Sequence, residues 1–195
     1  MLTGHRLAWP LVCALLLATS CSSLKPTSSP PSPSAVRAEQ RFGAPIIPTP
    51  RTLRDRVNDP CGTLLTRRQL EGLGFREPGQ SRTSLGVFPE CTWTDDETGH
   101  RLSIAVIVSR DLFVDSYRSR LLPVFRPTQV LGAPAVQQQT SENSTSCTTT
   151  VGVADAQSLD VVYDVASVGG SVAVPNACVG GARAAAEVIS TLPPL

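Results

Sequence analysis

From Leu102 onward, apolar residues recur at every second position (Leu102, Ile104, Val106, Val108), a period of two that predicts a strand. Cys91-Thr92-Trp93 and the polar turn Asp95-Asp96-Glu97-Thr98-Gly99 precede it, so the whole stretch reads as a hairpin. A second hairpin follows the same logic. Cys147, Thr149, Val151 and Val153 share one face, Asp155-Ala156-Gln157-Ser158 turns the chain, and Leu159, Val161, Tyr163 and Val165 return on the matching face. Other segments carry the helical period. Asp59-Pro60 caps a short turn, and Thr66-Arg67-Arg68-Gln69 has the form of a capping box ahead of Leu70 and Leu73, stopped by Gly72 or Gly74. Phe113, Tyr117 and Leu121 follow the cap Asp111 at helical spacing until Pro123. Asn176 caps a helix over 177–192 with the apolar stripe Cys178, Ala182, Ala185 and Ile189, closed by Pro193-Pro194. Gly180-Gly181 lets that helix approach a sheet closely. The pattern predicts an α+β fold: an antiparallel sheet of about five strands with helices packed on one face.

Upstream, the pattern changes twice. Met1–Arg6 is short and weakly positive, and the 13 residues Leu7–Thr19 carry no charge. That run is too short for a hydrocarbon core needing roughly 20 residues, and it suits a secretory signal of residues 1–20. Leu17-Ala18-Thr19-Ser20-Cys21 resembles a bacterial lipobox, with Ala18 where Leu is usual. The resemblance implies cleavage before Cys21 and acylation of its thiol; Cys13 sits mid-core behind the bulky Leu11-Val12 and is read as an ordinary hydrophobe. Two or three acyl chains hold a protein firmly where one does so marginally. The expected place is therefore the outer face of the cytoplasmic membrane, with the membrane itself as partner through Cys21.

Residues 21–54 read as the lipidated cysteine and a linker, because Ser22–Thr52 holds seven prolines in 31 residues and little apolar surface. Fully extended, such a segment reaches ~100 Å; as a coil it spans ~30 Å. Its Ser/Thr/Pro mixture is also compatible with O-linked sugar, the plainer reading being a spacer. Residues 55–195 form the expected folded domain. Four cysteines fall in it, Cys61, Cys91, Cys147 and Cys178, an even set that in an exported chain implies two disulfides with three possible connectivities. Cys61–Cys91 with Cys147–Cys178 is favoured, since each pair ties a helix start to a nearby hairpin. A four-thiolate zinc site is the rival, but spacings of 30, 56 and 31 contain no C-x-x-C.

Charge narrows the function classes. The chain has 17 Lys and Arg against 16 Asp and Glu; without Arg6 of the leader the balance is 16 to 16, a net charge of 0. No basic cluster offers a footprint for nucleic acid or anionic lipid. Beyond the leader, His100 is the single histidine.

Asp59-Pro60-Cys61, Leu64-Leu65-Thr66, Cys91-Thr92-Trp93 and a late cysteine opening an Ala-rich helix that ends in Leu-Pro resemble a domain of actinobacterial, mycobacterial-type lipoproteins, domain of unknown function 3558. The likeness spans most of residues 56–195. It implies the α+β fold and the disulfides, and no reaction. Abundant Ala, Val, Arg and Pro with a single Lys suit an actinobacterial origin.

Candidate chemistry is sparse. Asp95, Asp96 and Glu97 lack the spacing of a calcium loop and read as a solvated tip. His100 beside them, with Asp96 or Glu97 in reach, reads as a surface residue, a general base being the rival reading. No G-x-S-x-G, G-x-G-x-x-G or G-x-x-x-x-G-K occurs. Asn143-Ser144-Thr145 has the N-glycosylation pattern and marks an exposed loop, while Trp93 pads a disulfide or lines a pocket. No catalytic residue, metal or cofactor is assigned. The expected function is a non-catalytic, lipid-anchored envelope lipoprotein that binds a ligand or partner. The alternatives are a wall-directed hydrolase using His100 and an accessory subunit of a membrane complex.

Overall fold

The structure is a computed structural model that describes residues 40–166 and 176–195. The expected signal peptide, the Cys21 anchor and the first half of the linker lie outside the described residues.

Seven strands form one antiparallel sheet in the order β1-β2-β3-β7-β6-β5-β4. They are β1 (Gln80–Ser84), β2 (Phe88–Thr94), β3 (Arg101–Ile107), β4 (Val124–Val130), β5 (Ala133–Gln139), β6 (Ser146–Ala154) and β7 (Gln157–Asp164). Two meanders, β1 to β3 and β4 to β7, meet where β7 pairs with β3. The helices are α1 (Pro60–Thr63), α2 (Arg67–Leu73), α3 (Leu112–Ser119) and α4 (Ala177–Thr191), with a 3-10 turn at Arg54–Arg56. The caps follow the sequence. Asp59 accepts from the Gly62 N–H, Thr66 and Gln69 close a capping box, Asp111 accepts from the Val114 N–H, and Asn176 accepts from Cys178 and Val179.

Directly paired residues share a sheet face, so Cys91, Ile104 and Val161 lie on one side, as do Trp93, Leu102, Tyr163 and Cys147. This first face carries the main core, with Ala184, Ala185, Val188 and Ile189 of α4 laid against it. The two helix glycines permit that approach: a Cβ at Gly180 would lie 2.8 Å from the Tyr163 ring and one at Gly181 would lie 3.1 Å from Thr149 Oγ1. Gln69 of α2 donates to the Glu187 carbonyl at 3.1 Å, tying α2 to α4. Cys61 is bonded to Cys91 and Cys147 to Cys178, the favoured pairing, which clips α1 to β2 and α4 to β6.

Four expectations need correction. The sheet has seven strands, not five. Strand β1 is entirely polar (QSRTS), and β4 and β5 each contain a proline, so neither shows the alternation that marks a buried strand. The helices do not all lie on one face. Helix α3 packs on the second, where Phe113, Val114 and Tyr117 cluster with Val136. That face is apolar at one end, with Ala105, Ile107 and Phe88 gathered beneath Leu112, and it needs a cover. Leu121 lies outside α3, which ends at Ser119 with Arg120 at φ 41°; Leu121 is 82% exposed. Finally, packing starts before residue 55, since Ala44, Ile47 and Leu53 are buried.

Those three residues belong to a strap that rounds one end of the sheet. Ala44 packs with α3 on the second face. The Arg51 N–H then donates to the Val153 carbonyl at 2.8 Å, the Leu53 N–H donates to Gln157 Oε1 at 2.8 Å, and Leu53 enters the first-face core.

Candidate functional site

Beneath the strap, at the β6–β7 turn, is a cavity of about 720 Å3. Its lining mixes apolar side chains (Ala44, Ile46, Ile47, Leu195) with Arg41, Arg54, Asp155 and Gln157. Local chemistry builds it. Phe42 and Gly43 both take positive φ (52° and 84°), folding the chain so that the Ala44 N–H donates to the Arg41 carbonyl at 2.8 Å. The Arg41 guanidinium then donates back to the Ala44 and Pro45 carbonyls at 3.2 and 2.8 Å. It also lies 3.8 Å from Asp111 and 4.0 Å from Asp155, so one cation fastens the strap to the α3 cap and to the β6–β7 turn. On the far side the Leu195 N–H donates to the Pro50 carbonyl at 3.1 Å. Ile47 is buried, whereas Ile46 is 80% exposed at the rim. Arg54 is also exposed there, with no ion pair among the described residues.

The residues singled out by sequence lie elsewhere. His100 and the acidic turn sit at the opposite end of the sheet. There Asp95 is committed to holding the turn: Thr98 donates its hydroxyl to the carboxylate, the Glu97 N–H donates at 3.3 Å, and the Asp95 N–H donates to the His100 carbonyl at 2.9 Å. The Thr98 hydroxyl bond leads the causes that hold the Asp95 carboxyl below its ordinary value. Glu97 pairs with Arg76 at 3.7 Å, Asp96 is exposed, and the His100 ring makes an edge contact with Tyr163 at 6.2 Å. The three carboxylates therefore do not gather on a common cation, and the His100 charge is the smallest of the causes that lower Asp95. Trp93 is 1% exposed, on the same strand face as Cys91 and against Gly79, so it pads the Cys61–Cys91 disulfide. Its edge also borders a smaller surface cleft beside α1 and α2. Asn143 is exposed in the β5–β6 loop.

One ionisable group missed by sequence reading lies on the second face. Asp160 is half-buried by area but its carboxyl is crowded by neighbouring atoms, and it accepts from Thr150 Oγ1 at 2.7 Å. Desolvation pushes its pKa up from 3.8 to about 6, the Thr150 bond opposing and the Glu90 charge reinforcing the rise. Beside it Thr92 and Ser103 share a hydrogen bond of 2.9 Å. These groups lie on a pleated surface rather than in a cleft. Among the described residues no three His, Cys, Asp or Glu gather as a metal site, and no helix is long and apolar enough to cross a membrane.

The strap residues were legible only as Ile46-Ile47, the one pair of adjacent large apolar residues in the proline-rich segment. Gln157 and Leu195 carry no such signal, because they reach the cavity through tertiary contacts alone.

No curated protein and no solved structure matches the chain. The profile of one family, described as "Protein of unknown function (DUF3558)", matches residues 16–191, nearly the whole of the chain, and the protein belongs to that family.

Proposed function

We propose that the protein is a lipid-anchored module of the cell envelope, tethered at Cys21 to the outer face of the cytoplasmic membrane, that binds a small ligand in the strap cavity without catalysing a reaction. The lipobox-like Leu17–Cys21 and the proline-rich spacer support the tether. The cavity carries the binding reading. Its volume of about 720 Å3 falls in the ~300–1,000 Å3 range of small-molecule sites. Apolar walls with a few converging polar groups are the usual make-up of such sites. A wall-directed hydrolase would have to work through His100, whose nearest carboxylates are occupied by the turn and by Arg76; that reading takes second place. An accessory subunit would share the same tether and be distinguished by crosslinking to a larger complex.

Native mass spectrometry of the chain purified from its own membranes tests the binding reading. A bound small molecule is expected on the wild type and lost in Ile46→Asp, which places a charge at the cavity rim without touching the core. A wild-type chain free of any adduct, or an adduct unaffected by Ile46→Asp, would refute it.

A further inference from the structure

Five of the eight exposed large apolar side chains among the described residues gather at one end of the sheet: Ile46, Leu85, Val87, Leu131 and Leu195. The register fixes that end. Ser84 pairs with Phe88, Ile107 with Ser158, Ala154 with Gln157, and Val130 with Ala133, so the β1–β2, β6–β7 and β4–β5 turns all emerge on the same side. The strap cavity, with Ile46 and Leu195 in its lining, opens beside the middle turn.

Two of the leucines are held out under strain. The β1–β2 turn is Leu85-Gly86 at φ 49° and 73°, and the β4–β5 turn is Leu131-Gly132 at φ 48° and 80°. Two consecutive positive φ angles define the hairpin turn in which Asn-Gly or Asp-Gly is the favoured pair. Leucine in the left-handed region gains nothing from local hydrogen bonding, and at 75% and 66% exposure neither side chain is packed. The same costly choice on opposite edges of the sheet is not explained by folding; strain of this kind collects where a surface has work to do.

What covers this end follows from where the chain arrives. Arg41 meets the domain beside Asp155 of the middle turn. Cys21 lies 19 residues before Gln40, and extended proline-rich chain of that length reaches ~60 Å. A lipid on Cys21 therefore keeps this end of the domain within reach of the leaflet that holds the anchor. Exposed Arg54 lies in the cavity lining beside Ile46 and Leu195, as a cationic group does at a headgroup layer.

We infer that the turn end is the face the domain lays on the outer leaflet, with Leu85, Leu131 and Ile46 entering the boundary between headgroups and acyl chains. This rests on the tether proposed above and adds an orientation to it. The test uses the full mature chain reconstituted in phosphatidylethanolamine–phosphatidylglycerol vesicles, with or without brominated acyl chains, in three variants: Leu85→Trp, Leu131→Trp and Asp96→Trp. Asp96 is exposed at the opposite end, and the buried Trp93 is a constant background. Loss of tryptophan fluorescence to bromine is expected for the Leu85→Trp or Leu131→Trp variant beyond that of Asp96→Trp. Quenching no greater at either turn than at Asp96 overturns the orientation. Intact mass of the same preparations reads acylation of Cys21 independently: acylated chain without turn quenching refutes the docking alone, and turn quenching of unacylated chain on the same vesicles refutes the tether alone. Unacylated chain without quenching refutes both.

Discussion

Replacing Asp160 with asparagine isolates one proton. In the folded chain the Asp160 carboxyl is crowded beneath its neighbours, faces the charge of Glu90 across Ala105, and titrates at about 6 rather than 3.8. Between those two values the folded chain holds a proton that the unfolded chain has released. Stability therefore falls as pH rises through this window, the contribution being fully present below 3.8 and gone above about 6. Moving a carboxyl that far is worth about 3 kcal/mol, and the partial exposure of the residue trims the working value to about 1–3 kcal/mol. Asparagine keeps an oxygen to accept from the Thr150 hydroxyl and has no proton to exchange. Urea unfolding of wild type and Asp160→Asn at about pH 4.5 and 7.5 reads the difference directly. Because a pH of about 4.5 still lies above 3.8, only part of the window is crossed, and wild type is expected to gain about 1–2 kcal/mol over the variant on going to the lower pH. Parallel pH profiles for the two proteins would show that Asp160 titrates like a solvated carboxylate, and the account of its burial would fall.

Two further outcomes follow from the packing. The Cys147→Ala/Cys178→Ala double variant opens a ring whose ends are 31 residues apart and should lose about 3–4 kcal/mol of unfolding free energy in urea, with no change on adding reductant beyond that from the remaining disulfide. In Gly152→Val a Cβ would lie 2.8 Å from the fully buried Phe113 ring, so Tm should fall by the equivalent of about 1–3 kcal/mol. An unchanged melting curve would mean that α3 does not press on the second face.

How much of this the sequence carried depends on where each element buries itself. The β2–β3 and β6–β7 hairpins were readable because one face of each is apolar at every second position, as in Leu159, Val161 and Tyr163. The helix starts were readable because capping is local: Asp111 and Asn176 bond within three residues. The edge strand β1 gave no sign, since all its side chains face solvent or nearly so and its existence depends on β2. The β4–β5 hairpin was hidden by Pro127 and Pro134, tolerated by the ladder but read as breakers. Ile107 falls out of step with the alternating Leu102, Ile104 and Val106, and that was the trace of a second buried face which the period-two reading passed over. The cavity was the least legible feature. Its strap looked like linker because Ala44, Ile47 and Leu53 follow no period; their burial comes from wrapping an end of the sheet rather than lying along it.

The two disulfides have a consequence for how the chain withstands proteolysis. Each closes a covalent hoop, residues 61–91 and 147–178. A protease that nicks the backbone inside either hoop leaves both pieces joined through sulfur and still hydrogen-bonded across the sheet. Such a chain would keep its architecture with an interrupted backbone, and only combined cleavage and reduction would let the fragments part.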